Sequence, residues 1–262
     1  MGIFGGELAY RFLRWYAGST PVGALDGSAY RNRSKLRVLL GESLLAQLRD
    51  KDVIDFGCGE GAEVIEMAQF GARSVVGVDI QTDRFPEAER RAVEAGVADR
   101  VRFRNVPDGP ADVVVSIDSF EHFGDPAHIL RLMATQLRPG GRVIASFGPT
   151  WYHPLGGHLF SVFPWAHLIF TEPALIRWRS DFKTDGATRF SEVAGGLNRM
   201  TIARFTALVK ASPLRLASLE TVPIRRLAPL ANRFTREFTT AIVRCTLVPR
   251  AEADASSPAV TG

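Results

Sequence analysis

"DVIDFGCGEGAEV", residues 52–64, places an apolar run that ends in an acidic residue directly ahead of three glycines in five positions. The run has the length and branching of a buried strand. The segment behind it, residues 60–71, has helical periodicity and ends on Gly71, a suitable stop. A strand, a turn stripped of side chains and a helix make a unit in which a ligand can approach the backbone and the helix N-terminus.

The same alternation continues to residue 148. "SVVGVDI" (74–80), "RVRFRNV" (100–106), "ADVVVSID" (111–118) and "RVIASFG" (142–148) read as strands two to five. Residues 82–96 read as a helix capped by Thr82 or Asp83 and stopped by Gly96. Residues 125–141 contain another, opened by Asp125 with Pro126 in its first turn. Val- and Ile-rich runs joined by connections of helical length imply a parallel sheet covered on both faces. After residue 148 come aromatics, histidines, prolines and arginines with a weak helical period over 195–212. Residues 214–224 and 237–249 then return to strand and can pair as an antiparallel hairpin with a helical connection between them. The expected fold is α/β: a doubly wound, Rossmann-like seven-stranded sheet with a C-terminal antiparallel hairpin and a cap inserted after strand five. The expected divisions are an N-terminal helical arm (1–40), a nucleotide-type core (41–148), the cap with its acceptor site (149–211), closing strands (212–250) and a disordered tail (251–262).

Composition bounds the function. The chain has 262 residues, 46% hydrophobic and 23% charged, with a net charge of +4. Its isoelectric point is near 9.4. The basic groups are short and mixed with other residue types, which favours a solvated face over a nucleic-acid groove. Two distant cysteines, Cys58 and Cys245, form neither a disulfide framework nor a metal motif, so a cytoplasmic location is expected. Residues 1–18 are apolar on one side but interrupted by Glu7, Arg11 and Arg14. They read as an amphipathic helix that docks on the body, on a partner or on a membrane surface. Residues 159–170 are too short, and too broken by Pro164 and His167, to span a bilayer.

The ligand follows from the acidic residues beside the glycines. The GxGxG spacing, with Asp55 two residues ahead, departs from the GxGxxG turn that seats a pyrophosphate. A carboxylate there repels phosphate and suits a cationic or zwitterionic ligand. Asp79, at the end of strand two, can accept hydrogen bonds from both hydroxyls of a ribose. A ribose that carries a positive group and no pyrophosphate describes S-adenosylmethionine (SAM), and the same features oppose an NAD-binding oxidoreductase.

"VIDFGCGEG", "VVGVDI", "ADVVVSIDSFEHF" and "LRPGGRVIASF" resemble, in order and spacing, the successive motifs of class I SAM-dependent methyltransferases of the small-molecule, ubiquinone O-methyltransferase-like type. The resemblance covers roughly residues 50–150. It implies a cofactor site in the turn Gly57, Cys58, Gly59 and Gly61. Asp55, Gly57 and Gly59 would lie at the methionine part, Asp79 at the ribose and Ile80 against the adenine. Asn105 or Asp108 would sit near the adenine amino group, and Ser116 along the cofactor's other side.

The acceptor site should come from the loop after strand four and from the cap. Asp118, Glu121 and His122 stand at i, i+3 and i+4, so a helical turn would aim all three to one side as oxygen and nitrogen ligands for a divalent cation. They resemble the ExxEH sequence by which ubiquinone-biosynthesis O-methyltransferases and small-RNA 2′-O-methyltransferases hold a metal, with Asp in place of the first Glu. The resemblance implies a further histidine beyond strand five, for which His158 stands ready with His153 close by. In a metal-free alternative, His153 or His158 takes the proton from an acceptor hydroxyl, with His122 a third candidate. Trp151, Tyr152, Phe160, Phe163, Trp165 and Phe170 are expected to line an apolar chamber. Arg177, Arg179 and Arg189 are weighed as an anion site against a solvated surface. Tyr30, Arg31 and Arg33 are candidates for closing over the cofactor. The expected reaction is methyl transfer from SAM to an oxygen of a small, apolar or aromatic acceptor. An RNA 2′-O-methyltransferase-like enzyme and a non-catalytic SAM-binding scaffold stand as alternatives.

Overall fold

The structure, a computed structural model, describes residues 2–18, 34–193 and 196–250. Its elements in chain order are α1 (Gly6–Ala17), α2 (Lys35–Leu40), α3 (Glu42–Leu45), β1 (Asp52–Phe56), α4 (Ala62–Phe70), β2 (Ser74–Val78), α5 (Phe85–Glu94), β3 (Val101–Arg104) and β4 (Ala111–Ile117). They continue with α6 (Pro126–Thr135), β5 (Leu137–Phe147), α7 (Ala166–Ile169), α8 (Glu172–Arg179), α9 (Ile202–Lys210), β6 (Leu214–Pro223), α10 (Arg236–Thr239) and β7 (Thr240–Pro249).

Seven strands form one sheet in the order β3-β2-β1-β4-β5-β7-β6. The first five are parallel, while β7 runs antiparallel to both β5 and β6. The strand order reverses between β1 and β4, so the carboxyl ends of those two strands make the crevice in which ligands of such sheets sit. Successive strand residues face opposite sides. Val53, Val113 and Val115 accordingly join α2, α4 and α5 in one buried layer, and Ile54, Val114 and Phe56 join α6 and α9 in the other.

Local signals account for most boundaries. Asp125 caps α6 by accepting the His128 N–H at 2.9 Å, and Pro126 occupies its first position. Gly71 ends α4 in a left-handed conformation. The cap expected from Thr82 or Asp83 does not form: residues 82–84 make a 3₁₀ turn, and α5 begins at Phe85 without a side-chain cap. A tight turn fits here because Asp79, upstream of Thr82, accepts the Gln81 N–H at 2.9 Å and draws the chain round.

Two segments outside residues 41–148 serve the central sheet. Leu36, Leu39 and Leu40 of α2 are buried in its first layer, and Phe205 and Val209 of α9 in its second. A third cluster holds the cap together: Phe160, Phe170, Leu175, Trp178 and Phe190 pack with Leu13 of α1. Phe160 and Phe190 approach to 4.5 Å between ring centroids. Phe160 and Phe170 therefore build the cap's own interior, closed by α1, and do not line an open chamber. The tail from residue 251, together with Tyr30, Arg31 and Arg33, lies outside the described residues.

Candidate functional site

The glycine turn follows β1 at the reversal point. Gly57 has φ +83°, and a Cβ there would lie 2.5 Å from the Ser119 hydroxyl; at Gly61, φ +75°, it would lie 2.5 Å from the Phe103 ring. These two glycines allow the turn to pack against its neighbours. Gly59 differs, because the nearest atom to a Cβ there is an Arg84 nitrogen at 4.0 Å. The space over Gly59 is the open one.

The backbone donors of the turn are turned inward. Gly57 N–H and Cys58 N–H both donate to the Val78 carbonyl, at 2.8 and 3.2 Å, and Gly61 N–H donates to the Cys58 carbonyl at 2.9 Å. Gly59 N–H donates to Asp79 Oδ2 at 2.8 Å. The side-chain groups that the crevice holds beside this turn are acceptors. Asp55 is buried, with Oδ1 left without a partner among the described residues. Its carboxyl is pushed up to about 8, chiefly by burial and then by the Glu63 charge. Asp118 Oδ1 is also buried and unpartnered, and burial raises its carboxyl to about 6. Lys35 lies between Glu63 and Asp118, 3.3 Å from Glu63 Oε1 and 3.3 Å from Asp118 Oδ2. Burial works against its charge, but Asp118 and Glu63 outweigh it and raise its pKa. A crevice rich in buried acceptors and already holding one ammonium is built for cationic ligand groups.

The other cofactor candidates separate by exposure. Ile80 is 90% exposed beside Asp79, and Asn105 is exposed after β3. Asp108 reaches Arg104 at 3.7 Å. Cys58 is buried and its thiol is pushed far up, mainly by burial, so it packs beneath the turn as an inert side chain. Ser116 departs from expectation. It is fully buried between strands, with its hydroxyl donating to the Phe56 carbonyl at 3.1 Å, and offers a cofactor no surface.

The loop after β4 carries the second half of the site. Asp118 takes a left-handed conformation, φ +49°, and the helical turn begins only at Ser119, whose carbonyl accepts the His122 and Phe123 N–H groups. Asp118 therefore pairs through Oδ2 with Lys35 and is not among the ligand atoms that Glu121 and His122 bring together, which corrects the expected grouping of the three, although its charge still acts on Glu121. Glu121, His122 and His158 do converge, each offering one ligand atom, all within 4.8 Å of one another. Glu121 is buried; Oε1 accepts the Gly148 N–H at 3.2 Å, while Oε2 has no partner. Burial, and then the Asp118 charge, push its carboxyl up to about 8. His122 Nδ1 lies 2.7 Å from the Gly196 carbonyl, which makes Nδ1 the donor and leaves Nε2 as an acceptor. His158 sits at φ +50° with its ring centroid 5.1 Å from that of His122 and its Nε2 buried without a partner. Burial and then the His122 charge lower its pKa to about 3, so it is neutral.

The remaining histidines stand apart. His153 Nδ1 accepts the Leu155 N–H at 2.9 Å, and burial lowers its pKa to about 4. His167 is held between Ser161 and the Trp151 carbonyl. Of the arginines, Arg177 pairs with Glu7 at 2.7 Å and stacks on Tyr10. Arg179 is not solvated at all: it is 3% exposed and doubly bonded to Asp185. Arg189 lies beside a cavity of about 540 Å³ shared with Arg199 and Arg204. Sequence reasoning missed Lys35, Glu63 and Asn198. Asn198 fixes the loop by donating from Nδ2 to the Phe120 and Phe123 carbonyls at 2.6 and 2.9 Å, while its N–H donates to the Glu121 carbonyl at 3.0 Å. Nothing in the linear pattern marks these three, although Lys35 and Glu63 each lie near a recognised motif.

Comparison with known proteins agrees with this geometry. The ubiquinone biosynthesis O-methyltransferase of Cupriavidus pinatubonensis is 36% identical over 110 residues, 39% of this chain and 43% of that protein. The 27-O-demethylrifamycin SV methyltransferase of Amycolatopsis mediterranei is 38% identical over 98 residues, 35% of this chain and 36% of that protein. The chain thus spans less than half the length of these curated relatives. Among solved structures, magnesium protoporphyrin IX methyltransferase from Synechocystis, with bound SAH, shares the fold at a TM-score of 0.54 and 18% identity, covering 93% of this chain and 95% of that one. A family model described as a methyltransferase domain matches residues 29–194, more than half of the chain. With that match, and with the sheet order and the acidic crevice at its reversal point, the chain belongs to the class I SAM-dependent methyltransferase domain family.

Proposed function

We propose that the protein transfers a methyl group from SAM to a hydroxyl oxygen of a small, apolar or aromatic acceptor. The observation that carries this reading is the crevice over Gly59, where Asp55 and Asp118 each keep a buried oxygen unpartnered beside a loop that presents Glu121, His122 and His158. Bound SAM supplies a methyl group activated by its sulfonium, which passes to the acceptor oxygen and leaves S-adenosylhomocysteine. Asp55 and Asp118 complement the cofactor's positive charge, Asp79 retains acceptor capacity for the ribose, and Ile80 offers an apolar surface to the adenine. His122, locked by the Gly196 carbonyl with Nε2 as acceptor, can take the hydroxyl proton as the new C–O bond forms, and His158, a poorer base because burial lowers its pKa to about 3, stands beside it. His153, its Nδ1 committed to Leu155, is the weaker candidate. The names of the two curated relatives support oxygen as the acceptor atom.

The convergence of Glu121, His122 and His158 favours a second reading of the same site, in which they hold a divalent cation. The donor set fits, with one carboxylate and two imidazoles, two of them carrying an unpartnered buried atom. A cation there would lower the pKa of a bound hydroxyl. Turnover of labelled SAM with catechol-like and phenolic acceptors tests the main reading, and no methyl transfer to oxygen across that panel would sink it. Chelation followed by addition of Mg²⁺, Mn²⁺ or Zn²⁺ tests the second, which fails if the rate is unchanged. We also place the protein in the cytoplasm, on its cysteine content.

A further inference from the structure

Residues 224–239, which connect β6 to β7, carry Arg225, Arg226, Arg233 and Arg236 against a single acid, Glu237. All four arginines are exposed, and none forms an ion pair among the described residues. Beside them Leu230, Phe234 and Phe238 are 62%, 78% and 45% exposed. The Arg233 guanidinium lies over the Phe234 ring, 4.5 Å from its centroid. A connection that folded only to bury itself would turn these side chains inward. Here the apolar groups and the uncompensated cations share one outer surface.

That surface is continuous with a second. Tyr152 contacts Phe238 at 5.1 Å between ring centroids, and its carbonyl accepts the Trp165 indole N–H at 2.9 Å. Two residues earlier, Phe163 contacts Tyr16 of α1 at 5.3 Å. The outer side of α1 then presents Leu8 at 82% and Trp15 at 78% exposure. Aromatic contacts thus link α1, through the half-buried Phe163 and Trp165 of the cap, to the β6–β7 connection. The cap segment that brings His158 into the site also supplies Phe163 and Trp165 to this belt.

We propose that the belt docks the protein on an anionic lipid bilayer, with Leu8, Trp15, Leu230 and Phe234 entering the interface and the four arginines lying at the headgroups. Charge decides between occupants. In a two-fold contact a second copy of this chain would set the same four arginines against each other, whereas an anionic bilayer neutralises them. Basic residues near such a surface add attraction one by one, and exposed aromatic and aliphatic groups beside them supply the insertion. Among the described residues no helix is long and apolar enough to cross a membrane, so the contact is peripheral.

The test is co-sedimentation of the full chain with vesicles of phosphatidylcholine alone and of phosphatidylcholine with about one third phosphatidylglycerol. The expected result is binding to the anionic vesicles and weak binding to the neutral ones. Replacing Arg225, Arg226, Arg233 and Arg236 together by Gln should weaken the anionic binding at least about tenfold. Leu8→Ser with Trp15→Ser, and separately Leu230→Ser with Phe234→Ser, should each reduce it while circular dichroism and SAM binding stay unchanged. Equal binding to both vesicle types overturns the proposal. So does failure to sediment with either, including the case in which light scattering finds a dimer that the same substitutions dissociate.

Discussion

Lys35 Nζ and Asp118 Oδ2 lie 3.3 Å apart across the crevice above the glycine turn. The pair joins a helix upstream of β1 to the loop downstream of β4, with Glu63 of α4 as a third member at the same distance from the ammonium. The crevice is therefore charged before any ligand enters. Its affinity for a cation depends on how many of its buried carboxyls are ionised.

SAM binding should strengthen with pH. Asp55 and Asp118 have raised pKa values of about 8 and about 6, and only the ionised carboxyls attract a cation. Raising the pH from about 6 to about 8.5 should tighten SAM by roughly tenfold. The gain should be smaller for S-adenosylhomocysteine, which lacks the sulfonium charge. Isothermal titration across that range checks the difference, and Asp55→Asn should flatten the SAM profile.

Stability should move the other way. A buried carboxyl whose folded pKa is raised from 3.8 or 4.5 to about 8, as in Asp55 and Glu121, binds its proton more tightly folded than unfolded and loses stability as pH rises toward 8. His153, His158 and His167 have pKa values lowered from 6.5 to about 4, about 3 and about 4, so they add stability with rising pH only up to about 6.5. Between about pH 6.5 and 8 the two carboxyls prevail, and the free energy of unfolding should fall by at most about 2 kcal/mol for each. Urea melts at the two ends of that window measure it.

The turn glycines should separate by mechanism. Gly57→Ala forces a Cβ to within 2.5 Å of the Ser119 hydroxyl at φ +83° and should cost about 2 kcal/mol of stability or more. Gly59→Ala, at φ +52° with open space around it, should cost only about 1 kcal/mol and act chiefly by weakening SAM. Thermal melts with and without ligand distinguish the two effects.

Ser116 tests what a sequence position alone implies. Ser116→Ala removes a buried hydrogen bond to the Phe56 carbonyl and should lower stability by about 1 kcal/mol. The SAM dissociation constant should stay within about twofold of the parent's, because the side chain has no exposed surface.

The converging groups should govern turnover. Glu121→Gln and His158→Ala should each lower kcat by about a hundredfold or more, with a much smaller change in SAM affinity. His153→Ala, outside the group, should leave kcat within about threefold of the parent's. Single-turnover measurements with labelled SAM separate chemistry from binding.

The central unit of the fold was legible because its determinants are local. A buried Val-Ile run, three glycines and a following amphipathic segment specify a strand, a bare turn and a helix from neighbouring residues alone, and Asp55 and Asp79 are placed by their positions at strand ends. Periodicity misled at Asp118, since the i, i+3, i+4 argument needs a continuous helical backbone and the chain is left-handed there. The family resemblance likewise misplaced Ser116, because a strand residue's depth in the sheet depends on which strands flank it.

The sequence by itself determined the sheet, the glycine turn and the cationic character of its ligand, all of which follow from short-range pattern and residue chemistry. Only the tertiary structure decided that Lys35 pairs with Glu63 and Asp118, that Asn198 pins the loop after β4, and that His158, from a cap distant along the chain, meets Glu121 and His122. Those contacts close long loops. Their energy is recovered from burial and hydrogen bonds that form only when distant segments have already packed, so no local pattern announces them.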